Sequence, residues 1–219
     1  MIDTHCHLAD ARFDDDRERE LDRARHAGVT HLVEIVYAPE ILPRAQALAR
    51  EHPAVSLCLG VHPSESGKVP PAWLDTLREE ARHPRVVALG ETGLDFYRDR
   101  APRDVQERWF RAQLGLADEL GLPVVIHQRS ALAETLAILE ETRPAAGGVL
   151  HCFDDGPEVV PRAAALGFKL GLGGCLTYGH APLTEAVRIA PAEMLVLETD
   201  APWLEPEPRS LRRNEPGLL

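Results

Sequence analysis

Short apolar runs rich in Val, Ile and Leu alternate with longer amphipathic stretches along the whole chain, the pattern of repeated strand–helix units that feed a parallel sheet. Strands are expected in MIDTHCH, THLVEIV, VSLCLGVH, RVVALGETG, PVVIHQR, GGVLHCF, FKLGLGG and MLVLETD. Helices are expected in DDDRERELDRARHAG, PEILPRAQALAREH, PAWLDTLREEARH and RDVQERWFRAQLGLADELG. The first of these opens on acidic residues and stops at Gly28, the charge order and the stop of a helix. DDDRERE therefore reads as a solvated helix start rather than a metal trap. Eight strand candidates with no linker between them favour one (β/α)8 barrel domain over residues 1–219; an open doubly wound sheet is the alternative.

The polar residues inside these strands fall at one end. His5 and His7 close the first strand, His62 the third, Glu91 the fourth, His127 the fifth, His151 the sixth and Asp200 the eighth. That is the C-terminal face, where barrel enzymes build their active sites. Each has an ordinary explanation alone: a turn cap for Glu91, a core histidine for His127, a helix start for Asp200. Together they solve a chemical problem. His5 and His7, two apart on a strand, share a face and can grip one ion. Two divalent ions held close together repel and need an anionic bridge. Neither Lys68 nor Lys169 ends a strand suitably for that task, which leaves Glu91. One ion is then expected on His5, His7 and Glu91, completed by Asp200, and a second on Glu91, His127 and His151. Imidazole with carboxylate suits zinc, manganese or nickel, while magnesium prefers more oxygen.

Composition narrows the partners. The 219 residues carry a formal net charge of −11, which argues against a broad nucleic-acid-coating surface. A site holding two dications is nevertheless locally cationic and welcomes a phosphodiester. Arg129, two residues past His127, shares its strand face and offers donors suited to phosphate oxygens; His62 stands on the same rim. Tyr97 and Trp203 are able to stack on a base, but packing is the simpler role for each. GLGG lacks dinucleotide-binding spacing and reads as a crowded strand end. Cys6, Cys58, Cys152 and Cys175 form no CxxC pair and are expected to be reduced, buried and structural. No apolar stretch is long enough to span a membrane and no signal peptide is evident, so a cytoplasmic location is expected.

With these residues in place, the chain resembles the TatD family of metal-dependent deoxyribonucleases among the amidohydrolase-like barrels. The motifs are DTHCHL, GVHP, GETGLDFYRD, LGLPVVIHQR, HCF, LETDAPWL and the terminal RNEP. The resemblance implies a phosphodiesterase acting on DNA, single-stranded or at 3′ ends, as a 3′–5′ exonuclease; no obligate protein partner is expected. It implies two divalent ions (magnesium, manganese or zinc) on His5, His7, Glu91, His127, His151 and Asp200, with His62 and Arg129 touching the scissile phosphate. The implied chemistry is in-line attack by a metal-activated hydroxide, with Glu91 as bridge and Asp200 handling the proton. Three departures stand out. Ser64 replaces a second histidine after GVHP, Asp154 and Asp155 replace Ser-Gly after HCF, and the chain stops soon after RNEP, so the barrel's last helix is expected to be absent or shortened. Rival readings are a barrel amidohydrolase or esterase and a catalytically weak metal-binding protein.

Overall fold

The computed structural model describes residues 1–209 and 213–219. Eight strands form one sheet in sequence order, each parallel to the next. They are β1 (Ile2–Cys6), β2 (His31–Val36), β3 (Val55–Leu59), β4 (Val86–Asp95), β5 (Val124–Arg129), β6 (Gly148–Leu150), β7 (Phe168–Leu172) and β8 (Leu195–Leu197). Seven α-helices lie between them: α1 (Arg17–His26), α2 (Leu42–Glu51), α3 (Trp73–Glu80), α4 (Arg103–Leu120), α5 (Leu132–Thr142), α6 (Val159–Ala165) and α7 (Ala181–Ile189). This is a (β/α)8 barrel in which no α-helix follows β8 among the described residues. No helix among the described residues is long and apolar enough to cross a membrane.

The ends of the sheet meet through the segment after β8. Asp200 N–H donates to His5 O at 2.9 Å and His7 N–H to Ala201 O at 2.8 Å. The Thr4 hydroxyl donates to Leu197 O at 2.9 Å. Buried Asp3 accepts from the Thr199 hydroxyl at 2.6 Å and from its N–H at 3.0 Å. The first and last strands are thus joined beside the residues expected to work together. Most of the core lies between sheet and helices, where Phe13, Phe110, Phe153 and Phe168 are fully buried. A separate small cluster of Ile35, Cys58, Ala88 and Val125 lies on the inner side, since Val125 shares its strand face with His127.

α4 shows how a helix supports the site. It ends at Gly121 with φ 66°, the left-handed stop that glycine tolerates. Its buried face includes two polar residues two turns apart, Gln106 and Gln113. Gln113 accepts from Val61 N–H at 2.7 Å and donates to the Thr92 hydroxyl at 2.7 Å, tying the ends of β3 and β4 together.

Several expectations are corrected. Glu91 does not end its strand: β4 runs on to Asp95, because its register against β5 shifts between Leu89 and Thr92 and the strand then continues along β5 alone. Such an irregularity re-aims the side chain beside it. His62 and Asp200 lie three residues past their strands, and His7 and His151 one past theirs. DDDRERE is not wholly solvated. Glu20 is 1% exposed and pairs with Arg23 and Arg213. All four cysteines are free thiols, but Cys152 is only half-buried.

Candidate metal centre and active site

At the C-terminal mouth of the barrel, Glu91 sits among the histidines. Its Oε2 lies 3.6 Å from His5 Nε2, and its Oε1 lies 2.8 Å from His127 Nδ1 and 3.8 Å from His151 Nε2. Asp200 Oδ1 faces the other side, 3.2 Å from His7 Nε2, 3.6 Å from His5 Nε2 and 3.8 Å from His151 Nε2. The His5 and His7 Nε2 atoms are 3.2 Å apart, and the His5 ring stacks on His151 at 3.4 Å between centroids. His5, His7, Glu91 and His151 are all buried. Six side chains from five separate parts of the chain therefore converge.

This arrangement fits divalent cations. Ligands about 2.1 Å from a shared ion stand roughly 3–4 Å apart, as these donor atoms do. Two neutral imidazoles aimed at one another cannot both donate a proton, and the Nδ1 atoms of His5 and His7 find no partner, so the pair leaves acceptor nitrogens for a cation. Neither lysine competes: Lys68 pairs with Glu65, and Lys169 donates to Glu193 O. His5, His7 and Asp200 form one compact donor group, and His62, Glu91 and His127 another.

Electrostatics support an ionised centre. Burial opposes charge on Glu91, but His62, His127, His151 and His5 outweigh it and hold the carboxyl well below the usual range. Burial likewise opposes charge on Asp200, and the His7 hydrogen bond with the neighbouring histidines keeps it low. Burial and the nearby His151 push His5 down. His151 goes the other way. Burial is outweighed by Glu198, then Glu91 and Asp200, raising it to about 10.

His62 belongs to a donor group by distance, yet its hydrogen bonding assigns it another part. Its Nδ1 accepts from Ser64 N–H at 3.0 Å. The neutral ring then carries its proton on Nε2, which lies 3.6 Å from Glu91 Oε1. Burial, followed by His127, lowers its pKa to about 3, so it stays neutral. While that bond holds, Nε2 is a hydrogen-bond donor and not a lone pair for a metal. Ser64 thus matters through its backbone rather than its hydroxyl.

Two carboxylates in contact with these histidines are not among the expected residues. Asp95 Oδ2 lies 3.2 Å from His127 Nε2, so His127 is held between two acids. Burial would raise Asp95, but the His127 bond and Arg98 N–H bring it to about 2. Glu198 Oε1 lies 2.9 Å from His151 Nδ1 and accepts Cys152 N–H at 2.5 Å. Both sit at even spacing from an expected site residue, Asp95 four after Glu91 and Glu198 two before Asp200. Period-two reading of GETGLD and LETD contained that signal.

The crowding expected of GLGG is present: a Cβ on Gly171 would lie 2.2 Å from Glu198 Oε2. Trp203 packs as expected, with the Arg12 guanidinium 4.3 Å above it and His7 at its edge. Tyr97 does not; it is 66% exposed and touches Arg129. Arg129 is exposed at the end of β5, and Asp154 is exposed on the loop after β6. Asp155 accepts from Gln128 at 2.7 Å.

Comparison with known proteins agrees with this geometry. The profile of the family described as TatD related DNase matches residues 2–219. The chain is 41% identical over 228 residues to a 3′-5′ ssDNA/RNA exonuclease TatD of Pantoea sp. strain At-9b, covering 100% of this chain and 87% of that protein. It is 36% identical over 221 residues to the uncharacterized metal-dependent hydrolase YabD of Bacillus subtilis, with the same coverage. Among solved structures, the YJJV TatD homologue of Escherichia coli K12 superposes with a TM-score of 0.93 at 34% identity, covering 99% of this chain and 85% of that one.

Proposed function

The chain belongs to the TatD-related DNase family, and we propose that it is a metal-dependent hydrolase that cleaves phosphodiester bonds of single-stranded DNA stepwise from a 3′ end. The observation that carries this reading is the convergence of four histidines on Glu91 and Asp200 at the barrel mouth. His5, His7, Glu91 and Asp200 would hold one divalent ion, and Glu91, His127 and His151 a second; magnesium, manganese and zinc are the candidates. Ions held there supply positive charge against a phosphate and make water a stronger acid.

The chain's own groups do the rest. Asp200 is ionised and its side chain is 15% exposed, so its carboxylate takes up the proton released by the attacking water. Arg129 binds a phosphate oxygen through its guanidinium, and neutral His62 donates its Nε2–H to another. Burial of His5, His7, Glu91 and His151 excludes bulk water from all but the open side. The whole chain acts as one barrel domain, and its four free thiols suit a reducing, cytoplasmic compartment.

The test uses single-stranded oligonucleotides labelled at the 5′ or the 3′ end, incubated with each metal and with EDTA. The 3′ label should appear at once in mononucleotide, the 5′ label in a descending ladder, and EDTA should abolish both. Intact strands alongside hydrolysis of small amides or esters would replace this reading with that of an amidohydrolase or esterase.

A further inference from the structure

Most arginines of this acidic protein are neutralised. Arg12, Arg17, Arg23, Arg25, Arg44 and Arg78 each pair with a carboxylate, as do Arg108, Arg111 and Arg162. Arg19, Arg50, Arg82, Arg85 and Arg143 have no carboxylate partner among the described residues, and neither do four that gather beside the metal centre: Arg98, Arg100, Arg103 and Arg129. Arg98 and Arg100 belong to the segment joining β4 to α4 and Arg103 opens α4, and Asp99 is the sole opposing charge between Phe96 and Arg103. A surplus of positive charge therefore sits on one side of the mouth of a chain whose net charge is −11.

The same segment presents aromatic faces. The Arg129 guanidinium lies 4.1 Å from the centroid of Tyr97, and that of Arg103 lies 4.1 Å from the centroid of Phe96. Tyr97, at 66%, is the most exposed large apolar side chain in the described residues. Phe96 is half-buried against the core, which leaves Tyr97 as the exposed ring among unpaired arginines, the pairing that single-stranded nucleic acid uses, a base stacking on the ring while guanidinium groups take phosphates. The opposite rim lacks this. There Arg12 covers Trp203, but Asp10 neutralises it at 3.0 Å.

The platform is fixed to the site. Asp95, in contact with His127, also accepts Tyr97 N–H at 3.1 Å and Arg98 N–H at 2.8 Å. Gln106 holds both ends of the loop, accepting from Asp95 N–H at 2.8 Å and donating to Ala101 O at 2.8 Å. Arg129 stands two residues beyond His127 on one strand, roughly 6–7 Å outward.

We propose that the β4–α4 segment is the track by which the single strand leaves the metal centre: Tyr97, backed by Arg129, stacks on the base next to the scissile phosphate, and Arg98, Arg100 and Arg103 take the phosphates behind it. This rests on the nuclease reading and adds to it which face the strand occupies and why it must be single-stranded, since a base stacked between neighbours inside a duplex has no face free for Tyr97.

The test is fluorescence anisotropy of a short 5′-fluorescein-labelled oligothymidylate with phosphorothioate linkages, titrated with the manganese-loaded protein at several salt concentrations. Four contacted phosphates give a log–log salt slope of about −3. Replacing Arg98, Arg100 and Arg103 by Gln should reduce it by about 2, while Arg25→Gln, on the far end of the barrel, leaves it unchanged. Tyr97→Ala should weaken binding about tenfold, Tyr97→Phe should not, and the Tyr97→Ala loss should vanish on a strand that is abasic near its 3′ end. Unchanged affinity and slope in the arginine and Tyr97 variants, in a protein that digests unmodified DNA, overturn the track and leave the nuclease reading standing. Losses as expected in a protein that digests nothing support the track and remove the nuclease reading. Equal, arginine-dependent binding of polyglutamate overturns the assignment to nucleic acid.

Discussion

Glu198 lies behind the histidine it controls. Its carboxylate is 2.9 Å from His151 Nδ1, leads the charges that raise that ring to about 10, and fixes the backbone of Cys152. A carboxylate behind a ligating imidazole orients the ring and strengthens it as a donor, and losing such a partner costs 10–100-fold in metal affinity. Glu198→Gln keeps an acceptor for Cys152 N–H but removes the charge. Titration with manganese should show affinity reduced about tenfold or more, with the thermal midpoint little changed; unaltered affinity would mean that His151 needs no such support. At this scale the sequence was legible in types and spacing. His5, His7, Glu91, His127, His151 and Asp200 do converge, because each lies in the C-terminal half of a parallel strand or just past it and all parallel strands point one way. What could not be read was hydrogen bonding across the chain. The Ser64 N–H that fixes the His62 tautomer, and Asp95 reaching His127 from a neighbouring strand, depend on distances that no single stretch encodes.

The element that shapes the site is β4. Its register shift beside Glu91 turns that side chain toward the histidines, and the strand then stays close to β5 as far as Asp95 and Arg129. Gly93 makes that approach possible. It has φ 136°, and a Cβ there would lie 2.0 Å from His127 O. Gly93→Ala should therefore push two site-bearing strands apart. We expect a loss of about 2–4 kcal/mol in urea unfolding together with a large fall in activity, because strain at a special φ and backbone overlap act at once. A variant of wild-type stability would show that β4 and β5 separate freely. The eight strands and the first four helices were readable from periodicity, and α4 occupies its expected span but for Gly121, its cap. Strand ends were not. The apolar run of VSLCLGVH continues past the last ladder pair at Leu59, so His62 reaches the rim from a loop, while β4 outlasts its apolar core by pairing on one side.

Across the whole molecule, the terminal RNEP occupies the side of the barrel next to α1. Buried Asn214 donates to Thr199 O at 2.7 Å and through its own N–H to Pro202 O at 3.1 Å, bracketing Asp200. Arg213 pairs with Asp16 and Glu20, and Glu215 with Arg23 at 2.9 Å. The closing segment therefore ties the loop that carries Asp200 to the first helix. This explains why Glu20 is buried, which the acidic run at the start of α1 concealed. The barrel and its functional face were legible because eight strand–helix repeats leave few other topologies. The local charge was not: a net −11 conceals four unpaired arginines around one loop. The central claim is that one carboxylate, Glu91, is shared by the whole centre, and it is tested most directly by counting bound metal and measuring oligonucleotide turnover on the same samples of wild-type and Glu91→Gln protein. The account predicts two ions per wild-type chain, at most one in the variant, and a rate reduced at least about a hundredfold, since neighbouring dications lose the charge between them. A variant that keeps both ions and near-normal turnover would contradict it.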